Sequence, residues 1–247
     1  MNPDTGIDEL TPQYLIDRAT FLAQKIAVNS NTSTGFNTIH FHDNPSGYDI
    51  APLPGLTRQQ MVFGDGTNET LTGGTGADHF YGGSGDDQLL GLENNDYLEG
   101  NRGDDTLDGG TGADTMLGGQ GNDIYIVDNA GDVVREYADS GIDIVQSSVT
   151  FTLDAQVENL TLTSSSDING TGNQLDNLIT GNGGINRLDG KGGTDHVIGG
   201  DKNDVLIGGT GDDDLLEGGE GFDTYYYNAG DGTDRIEDDA LKLALTR

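Results

Sequence analysis

The chain has no cysteine and no tryptophan, and only 11 of its 247 residues are Lys or Arg. Without cysteine, neither disulfides nor thiolate metal sites can hold a fold together. The few basic residues are scattered singly, which excludes a nucleic-acid interface, since that needs clustered cations against phosphate. The same scarcity disfavours a bare anionic membrane surface. No apolar run approaches the ~18 residues that cross a bilayer, so membrane insertion is not expected. The opening Met-Asn-Pro-Asp-Thr-Gly shows no basic segment followed by an apolar one, so no signal peptide of the usual kind is visible. Apolar residues reach 32%, too few for a large mixed core.

Acid and glycine are abundant instead: 43 Asp and Glu, 41 Gly, and a formal net charge of −32. Taken alone, these values predict disorder, because self-repulsion opposes compaction and little apolar burial offsets chain entropy. Their order along the chain reverses that expectation. Over residues 64–126 a nine-residue unit repeats seven times, opening at Gly64, Gly73, Gly82, Gly91, Gly100, Gly109 and Gly118. It resumes over residues 172–226, at Gly172, Gly181, Gly190, Gly199 and Gly208, then at Gly218 after one inserted residue. Position 6 carries Asp78, Asp87, Asp96, Asp105, Asp114 and Asp123 in the first array. In the second it carries Asn177, Asn186, Asp195, Asp204, Asp213 (or one of its neighbours) and Asp223. Position 8 is apolar throughout, from Leu71, Phe80, Leu89 and Leu98 to Leu206, Leu215 and Tyr225.

Each unit divides into a turn and a strand. The first six residues, G-G-x-G-x-D, are expected to be unable to form a strand, because glycines allow the positive φ of a tight turn. The last three alternate polar, apolar, polar, a minimal strand with one side chain facing inward. Two units close one coil, and strands of successive coils then lie ~4.8 Å apart. Asp78, Asp96 and Asp114 line one edge, and Asp87, Asp105 and Asp123 line the other. Carboxylates stacked at that spacing repel unless a cation sits between them. Carboxylate and turn carbonyl oxygens together supply the roughly six or more hard ligands that Ca²⁺ accepts, whereas Mg²⁺ demands tighter octahedral geometry. Zinc is disfavoured because the turns offer neither Cys nor His at ligand positions.

The units GGTGADHFY (73–81), GGSGDDQLL (82–90), GGTGADTML (109–117) and GGQGNDIYI (118–126) resemble the RTX, or haemolysin-type, calcium-binding repeat. The stretch between the arrays, with Gly131-Asp132-Val133-Val134 and Val157-Glu158-Asn159-Leu160-Thr161-Leu162, resembles the inter-repeat segments of that family. The resemblance implies a parallel β-roll, folding induced by calcium, and export through a type I secretion channel of a Gram-negative bacterium. It assigns the ligand role to the position-6 aspartates named above. Carbonyls near positions 2 and 4, such as those of Gly74, Gly76, Gly83, Gly85, Gly110, Gly112, Gly119 and Gly121, would complete the shells. Roughly six to eight calcium ions are expected. Several turns depart from the pattern: GLENND at 91–96, GKGGTD at 190–195, GGDKND at 199–204, and Glu69 at position 6 of the first turn. Sites built on Asn177 and Asn186 lack charge and should be weak or empty. Asp86 and Asp104, at position 5, should face solvent.

The expected architecture is all-β: a right-handed parallel β-roll or β-solenoid over residues 62–227 with a short N-terminal helical cap. Residues 1–61 form the helix and an irregular capping segment, with the helix over Leu10–Val28 and a strand over Thr38–Phe41. The first array spans 62–126, a β-solenoid linker 127–171, the second array 172–227, and a tail 228–247 that ends in a short helical pattern. The linker should continue the stack without most calcium sites.

Catalytic signatures are absent. There is no HExxH and no GxSxG, and Ser84 belongs to a repeat. No Asp-Pro bond is present for calcium-triggered self-cleavage. His79 and His196 fall at position 7 and should lie on the surface. His40 and His42 would share a strand face beside Asp43, a candidate metal or acid–base pair set against an ordinary exposed strand. The sequence thus favours a non-catalytic calcium-binding module of a larger exported enzyme or toxin. A calcium-rigidified adhesin or matrix spacer, and a polysaccharide-modifying enzyme, are the alternatives. Any cell-surface or polysaccharide partner is unknown at this level.

Overall fold

The structure, a computed structural model, describes residues 11–29, 39–44, 47–50, 59–137, 141–211 and 213–238. The expected C-terminal helical pattern lies outside these residues. The chain is mostly parallel β and divides into two units: Met1–Asp123 with Gly131–Val133, and Ile124–Ala130 with Val134–Arg247.

In the first unit, parallel strands Gln59–Phe63, His79–Ser84, Tyr97–Arg102 and Thr115–Gln120 stack in one sheet, and Thr70–Thr72, Gln88–Glu93 and Thr106–Thr111 in another. Register places Val62, Phe80, Leu98 and Met116 in one inward column and Leu71, Leu89 and Leu107 in the other. All seven are buried. Each apolar side chain from position 8 therefore meets the equivalent one a coil away, and burial of these columns drives the roll together.

Many of the repeat strands, including Gln88–Glu93 and Val205–Thr210, are longer than expected. His79–Ser84 runs through the first three residues of the next unit, and Gly83 pairs with Asn101 and Ser84 with Arg102. Glycine at positions 1 and 2 does not stop the ladder there, because the neighbouring coil supplies backbone partners at the same height. In those units only about the last half of the G-G-x-G-x-D segment is turn, whereas Thr70–Thr72 and Leu178–Thr180 stop before the next glycine, as the sequence suggested.

The predicted helix occupies Pro12–Asn29, with the Thr11 hydroxyl accepting from the Tyr14 amide as an N-cap. It lies across the outer face of the first sheet, where Tyr14 packs edge-on against Phe63 (5.7 Å) and Tyr81 (5.1 Å). Phe21, Met61 and Phe63 complete this small second core. The sheet's edge is closed separately. Ile39–Asp43 adds a parallel strand to Gln59–Phe63, and Tyr48–Ile50 then pairs with it antiparallel. That reversal ends the parallel series and protects an exposed edge.

In the second unit, parallel strands Ile124–Val127, Ile144–Ser147, Asn159–Leu162, Leu178–Thr180, His196–Asp201, Leu215–Glu220 and Arg235–Glu237 form one sheet. Phe151–Thr152, Gly170–Thr171, Arg187–Gly192, Val205–Thr210 and Thr224–Tyr226 form the other. The repeat-free stretch is thus itself coiled and stacks on the second array within this unit. Its coils are uneven, Ile124 pairing with Ile144, Ile144 with Asn159 and Asn159 with Leu178, yet Tyr125, Val145, Leu160 and Ile179 keep one inward column.

Candidate metal centres

Every position-6 aspartate in the regular coils faces the interior of its turn. Asp78, Asp87, Asp96, Asp105, Asp114, Asp123, Asp195 and Asp204 are all at most 4% exposed. One oxygen of each is pinned by the preceding coil. Oδ1 of Asp105 accepts the amide of Asp87 at 2.7 Å, and Oδ1 of Asp123 accepts the amide of Asp105 at 2.7 Å. The other edge repeats the pattern, with the Asp78 amide donating to Asp96 and the Asp96 amide to Asp114, each at 2.7 Å. In the second unit the amides of Asn177 and Asn186 donate to Asp195 and Asp204, both at 2.8 Å.

The second oxygen is the candidate ligand. Oδ2 of Asp87, Asp96, Asp105, Asp195, Asp204 and Asp223 is buried and accepts no hydrogen bond. It lies beside the first glycine of its own unit. A Cβ on Gly100 would sit 2.2 Å from Asp105 Oδ2 and 2.8 Å from the Gly118 carbonyl oxygen. On Gly190 it would sit 2.2 Å from Asp195 Oδ2 and 2.5 Å from the Gly208 oxygen. Position 1 therefore needs glycine for space rather than for its φ. A buried carboxylate oxygen without a donor costs several kcal/mol unless a cation neutralises it. Converging acidic and carbonyl oxygens, with no nitrogen or sulfur among them, fit a hard divalent ion.

Electrostatics point the same way. Burial first, and then the carboxylates one coil away, push Asp105 up to about 8. Burial likewise raises Asp87, Asp96 and Asp195 to about 7 and Asp204 to about 6. Asp78 and Asp223 are raised by burial too.

The first coil is satisfied differently. Asp78 accepts from Gln60 through Oδ1 and from Gly74 through Oδ2. Glu69 accepts from the Asp65 amide at 2.7 Å and from the Asn44 side chain. The glycines expected to lend carbonyls divide into two groups. Gly83, Gly85, Gly110, Gly119 and Gly121 hold positive φ, whereas Gly74, Gly76 and Gly112 do not. The Gly74 carbonyl already accepts the Glu93 amide at 3.1 Å.

At five positions where the sequence departs from glycine, the backbone stays left-handed, whereas Asp65, Asn173 and Asn182 at position 2 do not hold positive φ. Leu92 (φ 84°), Asn94 (71°), Asn101 (80°), Lys191 (82°) and Lys202 (71°) all keep it. Such a conformation costs a β-carbon-bearing residue ~1–2 kcal/mol. Leu92→Gly, at a side chain 45% exposed, is therefore expected to stabilise the calcium-loaded protein by roughly 0.5–1 kcal/mol after glycine's extra unfolded-state entropy. A rise in the urea midpoint at constant slope would show it.

Two positions shift the register read from the sequence. In the GDDD turn the buried carboxylate is Asp214, whose Oδ1 accepts the Asp195 amide at 2.7 Å. Asp213 is exposed, with φ 70°. The inserted residue falls before position 6, so Leu216 rather than Leu215 takes the buried inward place. Asp132 also extends an edge, accepting the Asp114 amide at 3.1 Å. Its spacing of 18 residues from Asp114 could have revealed it.

Asn177 and Asn186 are buried, and each completes its turn with its own amide. Asn177 Nδ2 donates to the carbonyls of Glu158 (3.0 Å) and Val157 (3.3 Å), while Oδ1 accepts from Asn173. Asn186 Nδ2 donates to the Ile168 carbonyl (2.6 Å) and to Asn182 Oδ1 (3.0 Å). The amide hydrogens do there what a cation would do between carboxylates.

Asp86 and Asp104 are exposed and link position-5 residues of successive coils; the Asp104 amide donates to Asp86 at 3.1 Å. His79 is not a plain surface residue: its Nδ1 meets the buried Asp17 carboxylate of the helix, which also accepts from Tyr81 at 2.6 Å. His196 is on the surface, 3.2 Å from Glu217. The His40 side chain lies outside the described residues.

A parallel β-roll with buried, coil-to-coil carboxylates along its edges is the architecture of a cation-organised repeat protein. The chain belongs to the RTX calcium-binding nonapeptide repeat family, whose four-copy profile matches residues 63–98, 90–125, 171–206, 189–225 and 198–236. No curated protein matches it.

Proposed function

We propose that this calcium-binding module folds on meeting calcium outside the cell, after type I export as part of a larger enzyme or toxin. The buried, donor-free carboxylate oxygens carry the reading, because they make the roll self-opposing without cations. The family supports calcium as the ion. The ligands would be the position-6 carboxylates Asp78, Asp87, Asp96, Asp105, Asp114, Asp123, Asp195, Asp204, Asp214 and Asp223, with turn carbonyls beside them, in roughly six to eight sites. Bound calcium would supply the positive charge between stacked turns. We assign the module no catalytic role of its own.

Far-UV dichroism during calcium titration, after EGTA treatment, tests this. β content should appear with calcium, since ions bound only by the rolled state stabilise it by mass action. Equal β content with and without calcium would refute it. The pH dependence has a definite sign. The raised carboxylates bind more protons folded than unfolded, so the metal-free roll loses stability as pH rises from about 4 to about 8. Calcium needs the same groups ionised. Its affinity should therefore fall as pH drops from about 8 to about 5.5, which calorimetry at the two pH values would measure.

A further inference from the structure

We propose that the outer face of the second unit carries a saccharide-binding groove for a neutral glycan, separate from the turn carboxylates. A cavity of about 490 Å³ opens over strands Arg187–Gly192, Val205–Thr210 and Thr224–Tyr226. Its floor is Ile207, which faces outward by register with Asp189 and Tyr226 yet is only 8% exposed. Tyr226 stands in its wall with 53% of its surface open.

The polar groups around this apolar floor are paired. Asp189 is flanked by Lys191 at 2.9 Å and Arg187 at 3.8 Å. The Arg187 guanidinium also lies 6.0 Å from the Tyr226 ring centre. Asn228 and the buried Asp231, hydrogen-bonded to each other, also line it.

This set matches the surface of a sugar. A pyranose offers an apolar C–H face, which an open aromatic ring accepts, and hydroxyl pairs, which guanidinium and carboxylate groups bind through parallel hydrogen bonds. Few convergent polar groups around an apolar floor are the usual make-up of a ligand site. Charge decides between sugar classes. Arg187 and Lys191 are balanced by Asp189 and Asp231, so the groove has no excess cation for a uronate or sulfate. The chain's net charge of −32 also repels polyanions. The groove is open rather than enclosed, which suits part of a chain more than a free monosaccharide.

The test is isothermal calorimetry on the full calcium-loaded chain with cellohexaose, maltohexaose and a uronate hexamer. Binding of at least one neutral hexamer is expected, weakened roughly fivefold or more by Tyr226→Ala and largely retained in Tyr226→Phe. Arg187→Ala should weaken it as well. Unchanged far-UV dichroism in calcium will show that each variant is folded. The proposal is overturned if neither neutral hexamer binds, if Tyr226→Ala binds as well as the unmutated chain, or if the uronate hexamer binds more tightly than both. None of these results bears on calcium-dependent folding, so the two proposals fail separately.

Discussion

In EGTA, backbone amides of residues 157–190 should exchange with solvent about a hundredfold more slowly than those of residues 87–123. The reason lies in the two asparagines. Around Asp87, Asp96 and Asp105 the metal-free roll must bury carboxylate oxygens that no donor reaches. Around Asn177 and Asn186 the side-chain amides reach the carbonyls themselves, at 2.6–3.3 Å. The same coils bury Val157, Leu160, Leu162, Ile179 and Leu188, so hydrophobic burial meets little electrostatic opposition there. Hydrogen exchange read by mass spectrometry would locate the difference. Replacing both asparagines, N177D with N186D, should abolish the protection in EGTA and restore it in calcium. Uniform exchange across the unmutated chain would show that amides do not substitute for the ion.

Asp105→Ala is expected to cost the calcium-loaded protein on the order of 3 kcal/mol, and Asp86→Ala less than about 0.5 kcal/mol. Asp105 is 1% exposed and sits between Asp87 and Asp123 on one edge. Its removal strands the buried Asp87 amide and takes a negative charge from the proposed cation site. Asp86 is exposed, and its hydrogen bonds to Asn68 and Asp104 compete with water. Without calcium the order should shrink or reverse, because Asp105→Ala also removes a carboxylate that burial pushes up to about 8. Equal losses for the two variants in calcium would refute the assigned register.

The period of nine made the inward columns and the two carboxylate edges readable, since turn and strand alternate with fixed spacing. Three things were not readable. The helix finds its place through Tyr14 and Phe21 against Met61, Phe63 and Tyr81, contacts between distant parts of the chain that no local pattern encodes. Tyr81 and Tyr97, neighbouring aromatics on the outer side of adjacent coils, were a hint. In the GDDD turn three successive aspartates satisfy the motif equally, and the burial of Asp214 and Leu216 and the hydrogen bond from the Asp195 amide select Asp214. The need for glycine at position 1 came from three-dimensional crowding by carboxylate and carbonyl, not from φ.

The carboxylate ladder also gives the stack a direction. In each step the earlier coil offers an amide hydrogen and the later coil offers the oxygen that takes it, as from Asp87 to Asp105 and then to Asp123. A partly formed roll consequently has unlike ends, one showing donors and the other acceptors, in the manner of a polar filament. Two such fragments can join only head to tail. At the first coil Gln60 stands where the ladder would ask for an acid, and the antiparallel strand Tyr48–Ile50 lies beyond it. Growth in that direction is stopped by chemistry as well as by shape.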